Sequence, residues 1–123
     1  IALSSVGGGI GGLGAYFLSV NHDVPQSIGY SICASEIFKE NLKIKKNVYN
    51  ELSTIFPVYK MMNFFDKKIL QYYNYKRNTK IVIDKDKFNE LYLGSMSIAK
   101  NYNPCILKKK NLSNIVNKIL NKF

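Results

Sequence analysis

IALSSVGGGIGGLGAYFLSV, residues 1–20, carries no charged side chain and holds six of the chain's eight glycines, all between Gly7 and Gly14. The residues that follow are polar and rich in Lys and Asn. Wound as a helix, twenty residues reach about 30 Å, which matches the hydrocarbon core of a bilayer. A helix also satisfies its own backbone in lipid. In water, so many glycines would weaken a helix by about 1 kcal/mol each relative to alanine. In lipid, small residues four apart let a second helix come close. Gly7, Gly11 and Ala15 form one such row, and Ser4, Gly8 and Gly12 form another. Tyr16 and Phe17 fall late in the segment, near interfacial depth. The segment therefore predicts a transmembrane helix over residues 1–20, with Ser4, Gly7, Gly8, Gly11, Gly12 and Ala15 as helix-packing positions. Its partners would be membrane lipid and the transmembrane subunits of a larger complex.

Two other readings compete. Gly7, Gly9 and Gly12 match the GxGxxG spacing, and VGGGIGGLGAYFLSVNHDV is similar to the opening of many FAD-dependent oxidoreductases, in which a strand leads through a glycine turn to a pyrophosphate-binding helix. Under that reading these three glycines would be cofactor-binding in an FAD/NAD-binding oxidoreductase fragment. Against it, Ser4 and Ser5 interrupt the strand that would have to be apolar. Tyr16 stands where a small residue usually falls, and no acid between Val24 and Ser35 is placed to hold a ribose. The remaining reading is a helix buried inside a protein core.

The chain is 123 residues long and carries a net charge of +10, from seventeen Lys, one Arg and eight acids. The abundance of Lys, Asn, Ile and Tyr fits an AT-rich genome, which accounts for part of the basicity. Readers of nucleic acid favour arginine for bidentate contacts, and Arg77 stands alone, so a ribonucleoprotein subunit is a third-ranked alternative and no nucleic-acid partner is expected. Residues 21–40 sum to −2, residues 41–80 to +7 and residues 81–123 to +5. The zone beside the expected span thus lacks the lysine excess that would fix its orientation. The chain starts at Ile1 without Met, which would fit a removed mitochondrial presequence.

Cys33 and Cys105 lie far apart and form no CxxC, so buried free thiols are expected. His22 is the sole histidine and has no partner at metal-ligand spacing. Asn111-Leu112-Ser113 fits a glycosylation sequon, relevant only in a secretory lumen. A nucleophile needs a base within reach, and Asp84, Asp86 and Glu90 read as a solvated turn among lysines. No catalytic residue, metal, cofactor or small-molecule substrate is expected.

After a connector over residues 21–27, residues 28–123 predict one small α+β domain. A helix is expected from about Ser27 to Leu52, with a slip of its stripe near Ile44. Four strands are expected at Phe56 to Met62, Ile69 to Tyr75, Thr79 to Asp84 and Phe88 to Ile98, from their β-branched and aromatic content. Short polar turns between them, Asp84 to Lys87 among these, predict an antiparallel meander. Asn101 to Lys110 reads as a loop. A closing helix from Asn111 to Phe123, with Asn111 as N-cap, follows from Leu112, Ile115, Val116, Ile119 and Leu120 at helical spacing.

This order of parts resembles that of the Coa1/Tim21-type proteins of the mitochondrial inner membrane, over Gly11 to roughly Ile106. Lys80 to Lys100, KIVIDKDKFNELYLGSMSIAK, is similar to their strand, polar turn and small-residue-ended strand, although the usual Pro and Gly of that turn are missing. Tyr30 to Leu52 sits where the family has its helix. The resemblance implies a non-catalytic single-span subunit or assembly factor of a respiratory-chain or translocase complex in the mitochondrial inner membrane, with its head in the intermembrane space. Such a protein would act by helix packing and protein docking.

Overall fold

The computed structural model describes residues 9–77, 83–99, 103 and 105–123. Among them every regular element is an α-helix: α1 (Gly9–His22), α2 (Gln26–Ile44), α3 (Lys46–Ser53), α4 (Val58–Arg77), α5 (Lys85–Ala99) and α6 (Lys109–Leu120). The expected α+β fold with a four-strand sheet is overturned, because no strand occurs among the described residues.

The transmembrane helix expected over residues 1–20 is overturned: the described part, Gly9–His22, is helical but not a span. No helix among the described residues is long and apolar enough to cross a membrane. Instead α1 packs on α2 and α5. Leu18 is fully buried and Ala15 nearly so, and Leu13 and Phe17 pack on the same core. Leu13, Phe17 and Leu18 of the expected anchor thus share one hydrophobic interior with Ile32, Cys33 and Ile37 of α2 and Phe88 and Tyr92 of α5. An uncharged glycine-rich helix satisfies the same criteria in a protein core as in lipid. What differs is who covers it.

Asp23 ends α1 in the left-handed region, with φ 55°, a conformation its short polar side chain tolerates. Its N–H and that of Val24 donate to the carbonyls of Ser19 and Leu18, and the Tyr73 hydroxyl of α4 donates to the Asp23 carbonyl at 2.8 Å. Pro25 then starts α2 in extended geometry. The slip expected near Ile44 is a real break. Lys45 leaves helical geometry at φ −96°, ψ 70°, and α3 begins at Lys46. A stacked Tyr49–Tyr59 pair at 4.9 Å joins α3 to α4.

Two of the expected strands, Phe56 to Met62 and Ile69 to Tyr75, lie largely or wholly within α4. Val58, Asp66, Leu70 and Tyr73 are buried, and their steps of eight, four and three follow the helical period. The β-branched and aromatic content of the two stretches suggested strands there. Of the expected strand Thr79 to Asp84, residues 79–82 lie outside the described residues, while Ile83 and Asp84 form no strand. Phe88 to Ile98 lies in α5, where Phe88 and Tyr92 are buried one turn apart. The supposed turn at Asp84 is this helix's cap: Asp84 Oδ1 accepts the Lys87 N–H at 3.1 Å, the usual service of an N-cap aspartate.

The closing helix α6 buries Leu112, Ile115, Val116, Ile119 and Leu120, the apolar stripe expected of it. It begins at Lys109, however, with Lys108 as N-cap. Asn111 is therefore not the cap. It sits one turn in and reaches back, its Oδ1 accepting the Lys108 N–H at 2.9 Å, the reciprocal half of a capping box.

Candidate functional site

Of the expected helix-packing positions, Ser4, Gly7 and Gly8 lie outside the described residues. Gly11 and Ala15 do mediate close packing, within the protein and against α2. A methyl group on Gly11 would meet Ile37 and Tyr30 at 3.5 Å, and one on Gly29 would come within 3.3 Å of the Ala15 Cα. Gly12 faces open space, with nothing within 4 Å of an added methyl group. The tightest position is one the two four-residue rows did not include. A methyl group on Gly14 would stand 2.6 Å from Cys33 Sγ and 2.8 Å from the Tyr92 ring.

The alternative dinucleotide reading needs its glycines in a bend ahead of a helix. Gly9 and Gly12 are inside α1, so they form no such bend, and Gly7 lies outside the described residues. Among the described residues no group of three His, Cys, Asp or Glu side chains is arranged to hold a metal. The His22 imidazole has its pKa lowered, chiefly by burial, against the opposing pull of Asp84.

Both cysteines are free and buried. Burial pushes the Cys33 thiol up to about 12, against the pull of Lys122. It is therefore protonated at neutral pH and a poor nucleophile. Iodoacetamide is expected to leave Cys33 unmodified in the native protein and to alkylate it after denaturation in urea. Mass spectrometry of the two samples reads this directly, and native-state labelling of Cys33 at the denatured rate would contradict the burial described.

The chemistry-bearing residues that the structure does assemble come from two helices and the chain after α6. Glu36 and Lys39 of α2, Asp66 of α4 and Lys122 converge beside Ser35 and Asn63. Glu36 Oε1 accepts from Lys39 at 2.6 Å and from Lys122 at 2.7 Å. Asp66 Oδ2 accepts from Lys122 and from the Ser35 hydroxyl, the latter at 2.7 Å. Lys39 also donates to Asn63 Oδ1 at 2.8 Å. Glu36, Lys39 and Asp66 are all buried. Burial alone would raise the Glu36 carboxyl, but the Lys122 and Lys39 ammonium groups hold it below its ordinary value.

Glu36, Lys39 and Asn63 of this cluster also line an open cleft of about 330 Å³, together with Lys43, Tyr59, Lys118 and Asn121. Sequence reasoning had no way to assemble it, since its residues are scattered from Glu36 to Lys122. The available local signals were Glu36 and Lys39 at i, i+3, and an aspartate interrupting the apolar line of α4. Compared with known proteins, the chain matches no family model, no curated protein and no solved structure.

Proposed function

We propose that this chain is a non-catalytic helical subunit that docks on an acidic segment of a partner protein through the outer face of α4. One observation carries the reading: Met61, Phe64, Phe65 and Tyr72 are all exposed, Phe64 and Phe65 by more than half, at steps of three, one and seven along a single helix face. Aromatic residues and methionine are the types enriched where proteins meet. The face is basic as well as apolar. Lys60, Lys67 and Lys68 are exposed on α4, while the one acid of that helix, Asp66, is buried and paired.

Charge selects among occupants. A second copy would set lysine against lysine, on a chain of net charge +10. Lys68 lies within the stripe, its Nζ 5.6 Å from the centre of the Phe64 ring. Hydrocarbon would strip that ammonium of water without replacing its partners, whereas a carboxylate on a protein segment pairs with it.

The test is a set of fluorescent amphipathic helical peptides with one apolar face and acidic, neutral or basic flanks. Anisotropy is expected to rank them acidic, neutral, basic at low salt, with the gap closing as salt rises. The double substitution Phe64→Ser and Phe65→Ser should weaken the acidic peptide at least about tenfold, and should leave the melting temperature nearly unchanged because both rings are exposed. Equal binding of all three peptides, or a preference for anionic vesicles over every peptide, would overturn the reading.

A further inference from the structure

The geometry points to the cleft between α2, α4 and α6 as a binding site for an oxyanion of the phosphate class, held between Lys43 and Lys118. The cleft is lined by three ammonium groups, those of Lys39, Lys43 and Lys118, against one carboxylate, Glu36. That carboxylate already accepts from Lys39 and Lys122 through Oε1. With Lys39 and Lys122 balanced by Glu36 and Asp66 and Lys43 beside Glu40, the cleft keeps a net positive charge that an oxyanion neutralises.

The two outer lysines have an arrangement that solvated surface lysines avoid. Lys43 of α2 and Lys118 of α6 line the same cleft, and their interaction, together with partial burial, pushes Lys118 down. The carboxylate nearest Lys43 is Glu40 at 3.4 Å, and Glu40 is shared with the Asn111 amide at 3.0 Å. No carboxylate among the described residues lies within ion-pair distance of Lys118. An oxyanion between the two ammonium groups accepts from both and replaces their repulsion with two charge-assisted hydrogen bonds. Neutral donors stand around it. Tyr59 and Asn121 line the same cleft, and Asn63, whose Oδ1 is taken by Lys39, has its amide N–H groups left to donate. At neutral pH a phosphomonoester is close to dianionic, so free phosphate and a phosphoryl group carried on a larger molecule share the required chemistry. The cleft being open, either fits.

The site is independent of the docking face. Tyr59 and Asn63 lie on the side of α4 turned toward α2, and by the helical period Phe64, Phe65 and Lys68 point roughly the opposite way.

Isothermal titration with inorganic phosphate, against sodium chloride at matched ionic strength, tests the site on the whole chain. Saturable one-to-one binding is expected, with a rise in melting temperature that chloride does not produce. Lys43→Met and Lys118→Met should each weaken phosphate binding about tenfold, while Lys109→Met, away from the cleft, should not. Lys43 and Lys118 are exposed, so both variants should fold, and circular dichroism melting checks that they do. Repeating the titration with a phosphoserine peptide and its unphosphorylated form identifies the source. Tighter binding of the phosphopeptide names a carried phosphoryl group, and tighter binding of inorganic phosphate names the free ion. Non-saturable heats, or equal losses for all three lysine variants, would overturn the proposal.

Discussion

Alanine at Gly14 is expected to destabilise the protein by about 1–3 kcal/mol, the usual range for overpacking a filled interior, while alanine at Gly12 should stabilise it by roughly 0.5–1 kcal/mol. The two glycines belong to the same helix, two residues apart, so their intrinsic helix propensities are alike. Only their surroundings differ. At Gly14 the new methyl group would come 2.6 Å from Cys33 Sγ, 2.8 Å from Tyr92 Cζ and 2.9 Å from its hydroxyl. Neither side chain can swing clear, since Cys33 and Tyr92 are both fully buried and Tyr92 is wedged against Phe88 and Phe17 at ring distances of 5.2 and 6.4 Å. Accommodating the methyl group means separating α1 from both α2 and α5. At Gly12 it meets nothing within 4 Å, so the gain in helix propensity goes unopposed. Urea unfolding of the two variants beside the parent reads the difference. Equal effects of one sign would show that α1 does not pack as described. Shortening the side chain opposite, by adding Cys33→Ala to Gly14→Ala, should recover part of the loss, because the two sites are in contact.

This contrast also marks how far the sequence could be read. Helicity at the C-terminal end was legible because Leu112, Ile115, Val116, Ile119 and Leu120 repeat on one side of α6 and all are buried. The break after Ile44 was legible because the stripe of α2 slips there. The glycine segment was legible as a helix but not in its surroundings. Hydropathy measures how little a segment wants water, and α2 and α5 remove water as well as lipid does. In α4 Tyr72, one of the aromatic residues that suggested strands, is on the exposed side, while the buried line at helical spacing includes an aspartate. A rule that expects apolar residues inside discards that line at Asp66. The lapse at α5 was local, since an aspartate ahead of lysines reads equally as a turn or as a helix cap, and only the bond from Lys87 N–H to Asp84 Oδ1 separates them. The candidate site was the least legible part, because ion pairs between residues 36 and 122 are set by helix packing and leave no trace in local spacing.

Lys39→Met is expected to cost about 3–5 kcal/mol, the largest loss for any single substitution considered, because it breaks a buried ion-pair network from one side. The network is balanced, with Glu36 and Asp66 against Lys39 and Lys122. Methionine fills most of the volume of the lysine stem, so what is removed is charge and hydrogen bonding, and one buried negative charge is left uncompensated. Asn63 Oδ1 loses its donor as well. If balance is what matters, Lys39→Met combined with Asp66→Asn should be more stable than Lys39→Met alone, even though it removes a second charged group. If the loss instead reflects packing of the lysine stem, the second change can only add to the damage. Acid titration supplies a separate readout. In the parent, the Glu36 carboxyl lies below its ordinary value of 4.5 because the Lys122 and Lys39 ammonium groups outweigh its burial. A carboxyl lowered by folding contributes stability that is fully present above its unfolded pKa and is lost as the pH falls through the folded value. The Glu36 contribution should therefore hold at neutral pH and disappear below about pH 4.5. Removing Lys39 takes away one of the two ammonium groups opposing desolvation, so the folded pKa rises and acid unfolding should begin at a higher pH than in the parent. An unchanged acid transition in Lys39→Met, followed by tryptophan-free far-ultraviolet circular dichroism from pH 7 down to pH 2, would mean that Lys39 does not hold the Glu36 charge inside the fold.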